Sequence, residues 1–307
     1  MLSPRERVAY SPVTGRPAIK WPNGERLALW VSPNIEHYEF TPPHTSAGRN
    51  PWPRVPAPDI QQYSYRDYGN RVGVWRMTDL CDEFDIRCTV SLNMAVMEHF
   101  PEIATLVGEH DWTVMSHGIY NTRYVYELSE SEERDWLKDN IEMLRKHIGL
   151  PLKGMLGPAI SGTARTPDLM AELGLTYHTD WSHDDQPVPI KTSSSNPLVS
   201  VPYSFELNDA PLFAKHYDGE YFEQICRRQF DVLYREGGES GRVMCIALHP
   251  FLIGQPHMIG HLRNVFEYIA GHDEVWMTTA DDIADHYIAN HYDAEVAYTD
   301  SLNEMTQ

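Results

Sequence analysis

Short apolar runs of strand length alternate with amphipathic stretches of helical spacing through most of this chain, and few folds accept that alternation. Strands are expected near 26–34 (RLALWVSPN), 87–92, 112–115, 152–160, 176–179, 198–201, 242–248 and 275–278. Helices are expected over 70–85, from Pro101 onward, over 129–147, 166–173, 219–236, 258–271 and 279–288. Ser129 offers an N-cap followed by first-turn acids, and Gly149 with Pro151 stops that helix. Strand–helix repetition of this kind gives parallel strands. The expected fold is α/β, a single distorted or incomplete (β/α) barrel of about seven strands.

Two stretches interrupt the pattern. Residues 41–64 (TPPHTSAGRNPWPRVPAPDIQQYS) are proline-rich and aperiodic, a long insertion at an active-site rim or an oligomer contact. The expected division is an N-terminal arm (1–25), the barrel with its insertion (26–290) and a loose acidic tail (291–307).

A length of 307 residues suits one large domain. The formal charge of −19 argues against a nucleic-acid or anionic-membrane partner. No stretch has the length of a membrane span, and the N-terminus lacks the apolar core of a secretory signal, so a cytoplasmic location is expected. Cys81, Cys88, Cys226 and Cys245 have no C-x-x-C spacing and read as small buried hydrophobes in a reducing compartment.

Barrel enzymes keep their chemistry at strand ends, where rigid strands meet open loops. Three runs end in such groups: Glu36 after the first strand, His117 in MSHGIYN, and His249 in IALHP. No G-x-G-x-x-G, P-loop or G-x-S-x-G pattern is present, so dinucleotide binding and a serine acyl-enzyme are unsupported.

The runs WPNGERLALWVSPNIEHYE, RDYGNRVGVWR, SHGIYNTRY, IALHPFLIGQPH and HDEVWMTTADDIADH together resemble the polysaccharide deacetylase superfamily, and within it the allantoinase-like and cyclic imide hydrolase branch. The resemblance implies a distorted barrel that hydrolyses C–N bonds of amides, often as a tetramer. Metal-dependent members hold a divalent ion with a first-strand aspartate and two histidines. Here the first-strand position reads Asn34-Ile35-Glu36, and Asn121 stands where the second histidine would fall. Amides are poor zinc ligands, so no cofactor is expected; the alternative is Zn2+ or another divalent cation on Glu36 and His117.

In this reading Glu36, its pKa raised by burial, is the base that activates water. His249, titrating near neutrality, protonates the leaving nitrogen, and His117 orients water or polarises the carbonyl. Asn34, Asn121, Arg71, Arg76, Trp181, Asp184 and Asp185 are candidate substrate contacts, with an arginine as a bidentate clamp. His257 and His261, four apart, read as a surface pair. The expected function is opening of a small cyclic amide: a ureide such as allantoin, an imide or a hydantoin. The alternatives are a metal-dependent de-N-acylase of an acetylated sugar or linear amide, and a non-catalytic ligand-binding barrel.

Overall fold

The computed structural model describes residues 2–42 and 58–305. Among them, one sheet holds nine strands: β1 (Leu27–Ile35), β2 (Thr89–Leu92), β3 (Thr113–Ser116), β4 (Gly154–Met155), β5 (Tyr177–His178), β6 (Val188–Pro189), β7 (Val199–Ser200), β8 (Arg242–Leu248) and β9 (Val275–Thr278). The order is β6-β7-β5-β4-β3-β2-β1-β8, and only the β6–β7 pairing is antiparallel. β1 is the organising strand. One edge pairs with β8 from Leu27 to Pro33; the other takes β9 along Leu27–Trp30 and β2 at Asn34 and Ile35.

The ring is completed by irregular chain. Along the outer edge of β8, the Val243 N–H donates to the Asp185 carbonyl and the Ala247 N–H to the Leu207 carbonyl. This is the incomplete α/β barrel that the strand–helix alternation predicts.

Strand side chains alternate between two cores. Ala28, Trp30, Met115, Leu156, Tyr177, Val199, Val243, Cys245 and Ala247 fill the barrel interior. Leu27, Leu29, Val31, Val90, Val114, Met244, Ile246 and Leu248 face outward against the helices. The helices follow the expected signals. Ser129 and Glu132 form a reciprocal capping box on Glu130–His147, and Gly149 leaves that helix at φ 87°. Gly219–Glu236 is capped by Asp218 and buries Phe222, Cys226, Phe230 and Leu233 along one face.

Several elements differ from expectation. The helix read over 70–85 starts earlier, at Ile60, and passes through a π-helical turn at Gly69–Gly73 before continuing as Val74–Glu83. Part of the proline-rich insertion, 43–57, lies outside the described residues. The tail read as loose contains the helix Tyr292–Met305, whose buried Glu295 accepts a bond from Ser11 at 2.8 Å. Acidic composition hid this, because the partners that hold the helix are in the N-terminal arm. All four cysteines are free and buried.

Candidate active site

The inward parity of each strand carries past its end. On β1, Trp30, Ser32 and Asn34 lead to Glu36; on β3, Met115 leads to His117; on β8, Cys245 and Ala247 lead to His249. Because all three strands are parallel, these side chains meet at one end of the barrel. Glu36 Oε1 lies 3.3 Å from His117 Nε2 and 3.6 Å from His249 Nε2. All three residues are buried.

Each member is oriented from behind. His117 Nδ1 lies 2.9 Å from the Leu156 carbonyl, and a carbonyl only accepts, so Nδ1 is a donor and Nε2 faces Glu36. His249 Nδ1 donates to Asp209 Oδ1 at 2.7 Å, while the His249 N–H donates to Oδ2 at 2.8 Å. Asp209 is fully buried, on the short helix Asp209–Ala214 that follows the closing segment at Leu207. Asn93, just past β2, donates to the His117 carbonyl and accepts from the His37 N–H at 2.9 Å, tying the ends of β1 and β3 together.

The electrostatics reverse two expectations. Burial favours a neutral Glu36, but the His249 charge and hydrogen bonds from both imidazoles outweigh it and hold the carboxyl below the usual range. Burial likewise favours a neutral His249, yet the Asp209 and Glu36 carboxylates push it up to about 10. The site therefore rests with a carboxylate beside an imidazolium. The second oxygen of the Glu36 carboxylate, Oε2, is buried with no hydrogen-bond partner, and so is Asn121 Oδ1.

Asn121, five residues past β3, is buried and donates its amide N–H to the Tyr38 hydroxyl. Asn34 lies two residues below Glu36 on the same inner face, and its amide donates to the Tyr203 hydroxyl at 3.0 Å and the Leu248 carbonyl at 3.2 Å. The other candidates stand apart. Arg71 is exposed and pairs with Asp67. Arg76 bonds the Tyr68 hydroxyl and the Gly254 carbonyl behind the loop that carries His249. Asp184 pairs with Arg16 at 2.6 Å, and the Asp185 carbonyl meets Val243 at the start of β8, roughly 20 Å along the strand from His249. Trp181 packs on the outer core, and His261 bonds Glu223.

The RDYGNRVGVWR block thus serves differently from a clamp. Asn70 of the π-helical turn donates to the Glu36 carbonyl at 2.9 Å. A Cβ at Gly73 would stand 1.9 Å from the Pro250 carbonyl oxygen, and one at Gly69 2.8 Å from the Phe251 nitrogen. The glycines let this turn press its backbone against the His249 loop. Sequence reasoning missed Asp209, Asn93 and Asn70. Asn70 stood inside the quoted block; Asp209 and Asn93 carry no local pattern, since their partners are 40 and 24 residues away.

Several known proteins are similar to this chain. The "Putative polysaccharide deacetylase" of Schizosaccharomyces pombe is 29% identical, over 92% of this chain and 96% of its own length. The structure superposes on that of Puue allantoinase with a TM-score of 0.85 and 26% identity, covering 95% of this chain and 99% of the other. A "probable Polysaccharide deacetylase" from Pseudomonas aeruginosa PAO1 gives 0.82 and 27%, covering 94% and 99%. These curated and structural neighbours indicate a protein of the polysaccharide deacetylase superfamily. No protein-family model matches the chain.

Within this superfamily a divalent ion is the implied cofactor, and the residues present do not fit one. The donors that converge are the Glu36 carboxylate and the His117 and His249 imidazoles. Glu36 Oε1 already lies within bonding distance of His117, His249 is held charged and so cannot ligate, and Asn121 offers only an amide. Among the described residues, no group of three His, Cys, Asp or Glu side chains is arranged to hold a metal ion. Nor is any described helix long and apolar enough to cross a membrane.

Proposed function

We propose that this polysaccharide deacetylase-like chain hydrolyses a C–N bond of a small cyclic amide: a ureide such as allantoin, an imide or a hydantoin. The observation that carries the reading is the buried Glu36 carboxylate between His117 and the Asp209-held His249 imidazolium. It supplies a base and an acid on either side of one reacting carbonyl. The two unpartnered acceptors narrow the substrate. Asn121 Oδ1 is suited to receive a ring N–H next to the scissile carbonyl, and Glu36 Oε2 to receive a water O–H.

In the reaction Glu36 takes a proton from water as its oxygen bonds the carbonyl carbon. His117, held by the Leu156 carbonyl, orients that water and faces the developing oxyanion. As the C–N bond breaks, His249 delivers its Nε2 proton to the leaving nitrogen, and Asp209 stabilises the imidazolium until then. The products are a carboxylate and a ring-opened amine or urea nitrogen. A metal has no part in this proposal. The four buried thiols accord with a reducing, cytoplasmic setting, and a homotetramer belongs to the same proposal.

The test is a turnover screen of ureides, imides and hydantoins beside acetylated sugars, using protein analysed for metal and treated with a chelator. Chelator-resistant opening of a cyclic amide, lost in His249→Ala, is the expected result. Turnover of acetylated sugars alone, dependent on stoichiometric metal, overturns the reading.

A further inference from the structure

A second buried pair lies behind His117. The strand β5 ends at His178, and two residues later the Asp180 side chain sits 8% exposed, with its Oδ2 3.3 Å from His178 Nε2. The carboxylate receives the Gly157 N–H on Oδ1 at 2.8 Å and the Gly162 N–H on Oδ2 at 3.2 Å. A Cβ at Gly157 would come within 2.9 Å of Oδ2, and one at Gly162 within 2.7 Å, so glycine at both positions clears the space it occupies. The Gly157 N–H belongs to the same peptide group as the Leu156 carbonyl, and that carbonyl accepts the His117 Nδ1 proton at 2.9 Å.

We infer that Asp180 is a positioning residue for His117, acting through the Leu156–Gly157 peptide. A carboxylate drawing on a peptide N–H polarises the group and makes its carbonyl a stronger acceptor. The stronger acceptor fixes His117 with Nδ1 protonated and Nε2 turned toward Glu36, as a carbonyl or carboxylate behind a ligating histidine does in metal sites. His178 Nε2, 3.3 Å from Oδ2, is the nearest side chain that can modulate how strongly Asp180 pulls. Asp180 touches no reacting atom; its effect on catalysis rests on the function proposed for the trio, but its effect on His117 does not.

The experiment therefore reads His117 without substrate. The full chain is labelled with 15N-histidine, and the His117 imidazole signals are assigned by their loss in His117→Gln. In Asp180→Asn, which can still accept the Gly157 N–H but lacks the charge, the His117 Nδ1 proton is expected to move upfield and exchange with solvent several-fold faster. The His249 signals stay in place. His178→Gln, which leaves Asp180 and both glycine bonds intact, is expected to move the proton downfield, and it carries the test if Asp180→Asn does not fold. His117 signals that match the wild type in every folded variant overturn the inference, whatever happens to stability. Kinetics separate the two proposals. A shifted His117 in a chain that opens no cyclic amide sinks the proposed function alone, whereas an unshifted His117 in an active enzyme sinks only the Asp180 coupling.

Discussion

A carboxylate gripped by two imidazoles is a different base from a carboxylate that is merely buried. Burial alone would raise Glu36; two cationic or donating neighbours reverse the sign. Glu36→Gln keeps the shape and removes the base, so kcat is expected to fall by roughly 100- to 10,000-fold with little change in melting temperature, read by steady-state kinetics and thermal unfolding. His249 and Asp209 set the pH profile. The reaction needs His249 protonated, so kcat/KM should fall as pH rises through about 10. Glu36 must be ionised, and because its carboxyl is held low, the acid limb should lie below the ordinary carboxylate range. Asp209→Asn removes the main charge raising His249 and should bring the alkaline limb down toward the ordinary imidazole value of about 6.5, a shift visible in a pH–rate series. The same linkage acts on stability. Because folding raises the His249 pKa, its contribution is fully present below about pH 6.5 and fades as pH climbs through the folded value.

The elements that carry the site are joined backbone to backbone. The π-helical turn Gly69–Gly73 has no side chain to fill the gap against Pro250 and Phe251, and it delivers Asn70 to the Glu36 carbonyl. Interruptions of this type often sit at functional sites, since they re-aim a helix without ending it. Gly73→Ala would drive a Cβ into the Pro250 carbonyl, which cannot move without shifting His249. The expected cost is about 1–3 kcal/mol of stability with a larger loss of kcat, measured by denaturant unfolding alongside turnover. A variant with wild-type stability and rate would show that the contact is slack. The helix capped at Ser129 and the amphipathic helix Gly219–Glu236 were legible because caps and periodicity are local signals. The π turn was not, because its cause is a neighbour almost 180 residues away.

Across the molecule, the end of the barrel opposite the site is sealed by the chain termini. Ile19 and Trp21 of the arm and Ile283 and Tyr287 of the helix Ala280–Asn290 join the interior core. Arg16 draws the arm and the C-terminal helix together, pairing with Asp184 at 2.6 Å and lying 3.9 Å from Glu295. The Arg16 and Glu295 side chains are below 10% exposed, so Arg16→Ala leaves carboxylates without a counter-charge and should cost about 3–5 kcal/mol, read by thermal or denaturant unfolding. Turnover at temperatures where the variant stays folded should be unaffected, because this cluster lies at the far end of β8 from His249.

Period and strand-end chemistry made the barrel and the Glu36, His117 and His249 trio readable from the chain, for a physical reason: period-two alternation dictates which side chains point inward, and parallel strands bring their ends to one rim. Protonation, and the partners that set it, could not be read that way. Asp209, Asn93, Asn70 and Asp180 act across gaps that no local pattern spans, and a pKa depends on which charges surround a group in space. That is why the three residues were found and the sign of the Glu36 shift was not.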